Sequence, residues 1–271
     1  MGLERLRTAG NVLGLDQQHT DTCRFHVRTS VVKRKCLLEI SVETLEAATA
    51  AERGGADRVE LCGNLSVGGV TPDTEILRAV RAQVHIPIFS MIRPRAGDFV
   101  YSDAEFSEMR RSISDAKESG MDGVVLGVLT KERRVDLERT RELVELAKPL
   151  PVTYHRAFDE ATDLRQALED VIQSGVKRIL TSGGAKTALE GAAVVAELIE
   201  AAGERIVVVP GAGISSANIT EVARRTRARE FHSGLSAVLP HASSEYKQFE
   251  EEVRKLAEQL ARISRTRRTS G

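Results

Sequence analysis

The chain has 271 residues, 41% hydrophobic and 4% aromatic, with 39 basic side chains set against 39 acidic ones. That length suits one large α/β domain or two small ones and can bury a sizeable core, and a formal net charge of +0 gives no global electrostatic case for nucleic acid or an anionic membrane. No apolar run reaches the ~18 residues of a spanning helix, and Cys23, Cys36 and Cys62 make neither a CxxC unit nor a disulfide framework, which points to a reducing compartment.

Residues 1–35 show no sustained period, scatter Gly, Thr, Asp and His among basic side chains, and end in Lys33-Arg34-Lys35. They lack the apolar core of a signal peptide and read as a mobile extension outside the fold. From Cys36 short apolar runs alternate with amphipathic stretches. Leu37–Val42 is the first strand, and Leu45, Ala48 and Ala51 mark one face of a helix that Gly54-Gly55 stops. Arg58–Cys62 is the second strand, followed by a loop through Gly68-Gly69; Thr71-Pro72-Asp73 then offers a capping hydroxyl with Pro at the first helical position. Ile86–Ile92 is the third strand, and Ser102 with Glu105 forms a capping box for the helix after it.

Gly123–Leu129 and Leu137–Ala147 make the fourth strand and helix, and Val152–His155 and Leu164–Ser174 the fifth pair. Arg178–Thr181, Ile206–Pro210 and a shorter Glu230–His232 are strands six to eight. A last helix spans about residues 245–263, with Phe249, Val253, Leu256, Leu260 and Ile263 on one stripe. The basic tail, residues 265–271, reads as frayed and solvated. Continuous rather than alternating apolar strands indicate a parallel sheet covered on both faces. Eight such units over residues 36–264 predict an α/β fold: a single (β/α)8 TIM-type barrel, trimmed in its last unit. A doubly wound open sheet is the alternative, but no GxGxxG follows the first strand.

Barrel chemistry sits where the strands end. Those ends carry Glu39, then Glu60 with Cys62, then Arg93 and Arg95, and then His155, Arg156 and Asp159. Ser182-Gly183-Gly184, Gly211-Ala212-Gly213 and His232 follow strands six to eight. Glycines at such turns let backbone N–H groups approach an anion, and Pro94 between two guanidiniums favours a planar anion clamp, with a salt bridge to Glu60 or Asp98 as the alternative. Glu39 and Glu60 are costly to bury alone, so each must meet an arginine or act as a base with a raised pKa. Pairing is expected for one of them, and the other stays open.

The blocks Ala56-Asp-Arg-Val-Glu-Leu-Cys62, Gly68-Gly69-Val70-Thr71-Pro72, Ile92-Arg-Pro-Arg-Ala-Gly-Asp-Phe99, Val152-Thr-Tyr-His-Arg-Ala-Phe-Asp159, Leu180-Thr-Ser-Gly183, Gly211-Ala-Gly213 and Glu230-Phe-His232 resemble CutC, the copper homeostasis protein family, in order from about residue 37 to 237. The resemblance implies a cytoplasmic, homo-oligomeric (β/α)8-type barrel and a role in copper tolerance or Cu(I) binding. It carries Cys62 over as the metal residue, whereas Ser41 and Val42 stand where many relatives have a second strand-end cysteine. Met91 or His155 could in principle add a donor for Cu(I), which favours soft ligands, but no spacing in the sequence brings them together; no organic cofactor is indicated.

Two functions are open on these residues. One is a copper homeostasis protein holding Cu(I) at Cys62. The other is a barrel enzyme acting on a phosphorylated or carboxylated small molecule. In the enzyme, Arg93, Arg95, Arg156, Ser182, Gly183, Gly211, Gly213 and His232 bind the anion, and His155, Asp159, Glu60 or Glu39 moves a proton.

Overall fold

The computed structural model describes residues 36–235 and 246–269, so the reading of residues 1–35 as an extension lies outside the described residues. Strands and helices alternate eight times. The first half comprises β1 (Leu37–Val42), α1 (Leu45–Gly54), β2 (Arg58–Leu61), α2 (Thr74–Gln83), β3 (Ile88–Met91), α3 (Asp103–Glu118), β4 (Gly123–Leu126) and α4 (Leu137–Ala147). The second comprises β5 (Val152–Tyr154), α5 (Leu164–Gln173), β6 (Arg178–Thr181), α6 (Ala192–Ala202), β7 (Val207–Pro210), α7 (Ile219–Thr226), β8 (Glu230–Ser233) and α8 (Tyr246–Thr269). Short 3-10 turns, Leu65–Val67 and Arg156–Glu160, follow β2 and β5.

Local chemistry sets the borders. Thr44 Oγ1 accepts from the Ala47 N–H at 3.1 Å and opens α1, and Gly55 closes it at φ 96, a left-handed conformation that favours glycine. Ser102 and Glu105 form the expected capping box of α3, and Asp136 and Asp163 cap α4 and α5. Helix α2 departs from the sequence reading: it begins at Thr74 behind Asp73. Thr71 is engaged elsewhere, because its N–H donates to the Arg93 carbonyl and its hydroxyl accepts the Arg93 N–H, both at 2.9 Å. Helix α8 continues through Thr269, so the basic stretch after Ile263 extends the helix where the sequence suggested fraying.

All eight strands are parallel, in the order β7-β6-β5-β4-β3-β2-β1-β8. The ladder between β1 and β8 pairs Glu39 with His232, and that between β1 and β2 pairs Glu39 with Arg58. Among the described residues no ladder joins β7 to β8; there the Ser233 hydroxyl donates to the Ile214 carbonyl at 2.6 Å. The result is a nearly closed (β/α)8 barrel. Helix α8 completes the outer ring against α1, so closely that a Cβ on Gly54 would lie 2.7 Å from Val253. No helix among the described residues is long and apolar enough to cross a membrane.

Side chains alternate along each strand. Leu38, Ile40, Val42, Val59 and Leu61 are buried in the large core shared with the helices. A separate inner cluster holds Cys62, Phe89, Met91 and Val125. Glu39, Ser41, Arg58 and Glu60, the alternate positions of β1 and β2, are buried too. The outer core carries the stability; the interior carries the charge.

Candidate functional site

The charges lie along β8, β1 and β2. Arg58 pairs through Nε with Glu39 and through Nη2 with Glu230 at 2.7 Å, and Arg178 Nε reaches the same Glu230 oxygen at 3.0 Å. Both guanidiniums sit over the Phe89 ring, 4.8 and 5.2 Å from its centroid, a cation–π arrangement that favours charge in a dry interior. Glu39 also meets His232, whose Nδ1 lies 2.7 Å from Glu39 Oε1. On the far side of that ring, Nε2 is 3.8 Å from Glu60 Oε2. The Cys62 thiol donates to the same Glu60 oxygen at 3.5 Å. Glu39, Glu60 and His232 thus offer ligand atoms within 4.8 Å of one another.

The two carboxylates differ in character. Burial works against the charge of Glu39, but Arg58 and His232 more than offset it and hold the carboxyl down to about 2. Burial pushes the Glu60 carboxyl up, and the His232 charge offsets only part of that; its Oε1 has no hydrogen-bond partner. Burial also opposes the His232 imidazolium, yet Glu60 and Glu39 raise it above its ordinary value. The Cys62 thiol is pushed well up by burial and then by the neighbouring Glu60. Glu39 is the carboxylate with an arginine partner, as expected for one of the two, and Glu60, which the sequence left open, has no arginine ion pair.

The residues expected to form an acid–base and anion-binding pocket at the strand ends take other parts. His155 Nδ1 accepts the Ala157 N–H at 3.1 Å, and its ring packs 4.8 Å from Phe99. Burial and then the Arg93 charge bring its pKa down to about 3, so it stands neutral, with Nε2 lacking a partner. Asp159 accepts from the Thr181 hydroxyl at 2.5 Å, from the Ser182 and Gly184 N–H groups at 3.0 Å, and from Arg156 Nε at 2.8 Å. It therefore occupies the backbone cradle of the Ser182-Gly183-Gly184 loop that the sequence offered to a phosphate or carboxylate ligand. Arg156 also reaches the Ser182 hydroxyl at 3.0 Å, tying the same loop together.

Arg93 and Arg95 diverge rather than form a clamp. Arg93 donates to the carbonyls of Val67, Gly69 and Gly97 at 2.8–3.2 Å, stapling the loops after β2 and β3. Arg95 pairs with Glu105 at 2.5 Å and Asp98 at 2.9 Å, the salt-bridge alternative. Gly211 is required for space, since a Cβ there would lie 2.4 Å from Leu180, and its N–H donates to the Thr181 carbonyl at 2.9 Å. Gly213 supplies a φ of +66 for the turn after β7. Of the proposed anion-binding residues, only His232 joins the two glutamates.

Sequence reasoning missed Arg58, Arg178 and Glu230. A signal existed for two of them: Arg58 lies two residues before Glu60 and Glu230 two before His232, and such spacing on a strand puts both side chains on one face.

Comparison with known proteins places the chain. The model of the CutC family matches residues 36–237. A human copper homeostasis protein cutC homolog is 48% identical over 196 residues, 72% of this chain and 72% of that protein. A CutC family protein of Xanthomonas campestris pv. campestris strain 8004 is 47% identical over 212 residues, 77% of this chain and 88% of that one. The crystal structure of CutC from Streptococcus agalactiae superposes with a TM-score of 0.70 at 32% identity, covering 73% of this chain and 98% of that one. Pyrococcus furiosus thiamine phosphate pyrophosphorylase shares the fold at 17% identity and a TM-score of 0.55, over 84% of this chain and 98% of that chain. With the family model spanning the barrel and relatives near half identity, this chain belongs to the CutC family.

Proposed function

We propose that the chain serves copper homeostasis in the cytoplasm by holding Cu(I) at Cys62. The observation that carries the reading is a pair of soft donors: the Cys62 thiol and the Met91 thioether pack in one buried cluster on neighbouring strands, and Cu(I) favours thiolate and thioether ligands. Room over the sulfur is preserved by Gly69, where a Cβ would come 3.0 Å from Cys62 Sγ. Bound Cu(I) would replace the thiol proton, which burial otherwise retains. Buried thiols at Cys36 and Cys62 suit a reducing compartment. The test is an anaerobic Cu(I) competition titration against a coloured chelator on wild type, Cys62→Ser and Met91→Leu. Stoichiometric uptake abolished by the first substitution and weakened by the second is expected; uptake unaffected by Cys62→Ser would sink the reading.

The barrel-enzyme reading keeps support from one observation, the Glu39–His232–Glu60 chain, in which an oriented imidazole faces a carboxyl of raised pKa. It predicts that His232→Ala retains the fold and loses turnover. Its acid–base pair would be His232 and Glu60.

A further inference from the structure

We propose that Glu60, His232 and Cys62 form a binding site for a divalent cation of borderline softness, the Zn2+ class, with Glu39 fixing the His232 ring from behind. The site shares Cys62 with the copper reading but stands without it.

The case begins with the imidazole. Glu39 Oε1 sits 2.7 Å from His232 Nδ1, which keeps a proton on that nitrogen and makes Nε2 the one that gives up its proton to a bound cation. A carboxylate behind a histidine, fixing its tautomer and orientation, is the recurrent outer shell of zinc-binding histidines. Glu39 is itself held by Arg58, so the ring is locked by two successive ion pairs. In front of Nε2 lies the Glu60 carboxyl at 3.8 Å, and 3.5 Å beyond that oxygen lies the Cys62 sulfur. With bond lengths near 2.0–2.3 Å, a tetrahedral cation sets its donors on the order of 3.3–3.6 Å apart. The two measured edges need a shift of a few tenths of an ångström, and the third, from Cys62 to His232, closes only on binding, because the group of donor atoms already within 4.8 Å of one another is Glu39, Glu60 and His232.

Two further observations point to a cation. Glu60 Oε1 is buried and has no hydrogen-bond partner, an arrangement that costs free energy unless something meets it. His232 lies between two of the carboxylates, Glu39 and Glu60, so a cation at its Nε2 would sit beside the unmet Glu60 carboxyl. The donor types then select the ion. One imidazole nitrogen, one carboxylate and one sulfur suit Zn2+; Mg2+ and Ca2+ require mostly oxygen ligands. Three protein donors leave a fourth tetrahedral position for water or a ligand, the pattern of catalytic rather than structural zinc.

The experiment is calorimetric titration of the full chain with Zn2+ alone, under reducing, chelator-free conditions, on wild type, Glu60→Gln, His232→Asn and Cys62→Ser, with the Cu(I) titration run in parallel. Wild type should take up one equivalent. Each substitution should weaken Zn2+ at least about 100-fold, beyond the 10–100-fold typical of an outer-shell partner, while Glu60→Gln keeps its Cu(I) capacity. Thermal melts of the metal-free variants check folding, and a Zn2+-dependent rise in the wild-type melting temperature is an independent readout. Absence of one-to-one Zn2+ uptake by wild type, or uptake undiminished in Glu60→Gln or Cys62→Ser, overturns the site. Loss of Cu(I) uptake alone in Met91→Leu leaves it standing.

Discussion

Two histidine–carboxylate pairs in this barrel differ in what their neighbours have done with them. His155 and Asp159 are close in sequence, end the same strand and bind different partners. Asp159 collects hydroxyl, backbone and guanidinium donors, and His155 stands neutral against Phe99. His232 and Glu60 are far apart in sequence and face each other, with one Glu60 oxygen unmet. A polar group whose hydrogen bonds are all made holds a loop in shape. One left unmet inside a dry barrel is poised for something else. Proximity in sequence pointed to the first pair; the second is set apart because its members face each other, since His155 Nε2 is also unmet.

The largest test of that contrast is Asp159→Ala, which leaves the buried Thr181 hydroxyl and Ser182 N–H without their acceptor. We expect a loss of about 3 kcal/mol in urea unfolding, since each buried group left unsatisfied costs on the order of 1–3 kcal/mol; a loss under 1 would mean the loop does not need its carboxylate.

Next comes acid. The unfolded chain protonates histidine near 6.5, whereas folded His155 resists down to about 3, so the unfolded state binds more protons between those values. Stability contributed by His155 is therefore lost as pH falls below 6.5. Glu39, down to about 2 from 4.5, extends the loss from pH 4.5 downward. His232, raised above 6.5, has the opposite sign: its contribution is complete below 6.5 and fades as pH rises. We expect a drop of about 2 kcal/mol between pH 6.5 and 5, flattened by His155→Asn, which keeps a capping acceptor for Ala157. An unchanged slope in that variant would remove His155 from the account.

A smaller effect is expected of Gly69→Ala. Its Cβ would crowd the Cys62 sulfur, and φ +81 at that position adds strain, so Cu(I) affinity should fall about tenfold, or 1.4 kcal/mol. Full affinity would place copper elsewhere. Smallest of all is Glu60→Gln in the absence of metal. Because Glu60 spends burial free energy without a full set of partners, its loss should move the unfolding midpoint by less than about 1 kcal/mol. A loss comparable to that of Asp159→Ala would erase the contrast.

Much of the scaffold was legible in the residues. β1, α4 and β6 have the borders their apolar runs suggested, and the Ser102–Glu105 box works as written, because periodicity and caps are local. Glu39, Glu60, Cys62 and His232 were each marked as strand-end groups. What could not be read was their grouping: His232 meets Glu39 because β8 pairs with β1 in a particular register, a consequence of ring closure that no local pattern encodes. For the same reason the glycine loop after β6 looked open to phosphate, since its occupant, Asp159, arrives from the neighbouring strand.

The missing ladder between β7 and β8 gives the barrel a seam. Among the described residues, every other pair of adjacent strands is fastened by backbone hydrogen bonds, whereas this one is held by packing and the Ser233 contact with Ile214. Parting the wall there breaks no backbone ladder, and β8, which borders the seam, carries His232 while remaining fastened to β1. The wall of the described barrel is thus fastened edge to edge everywhere except beside the strand that carries His232.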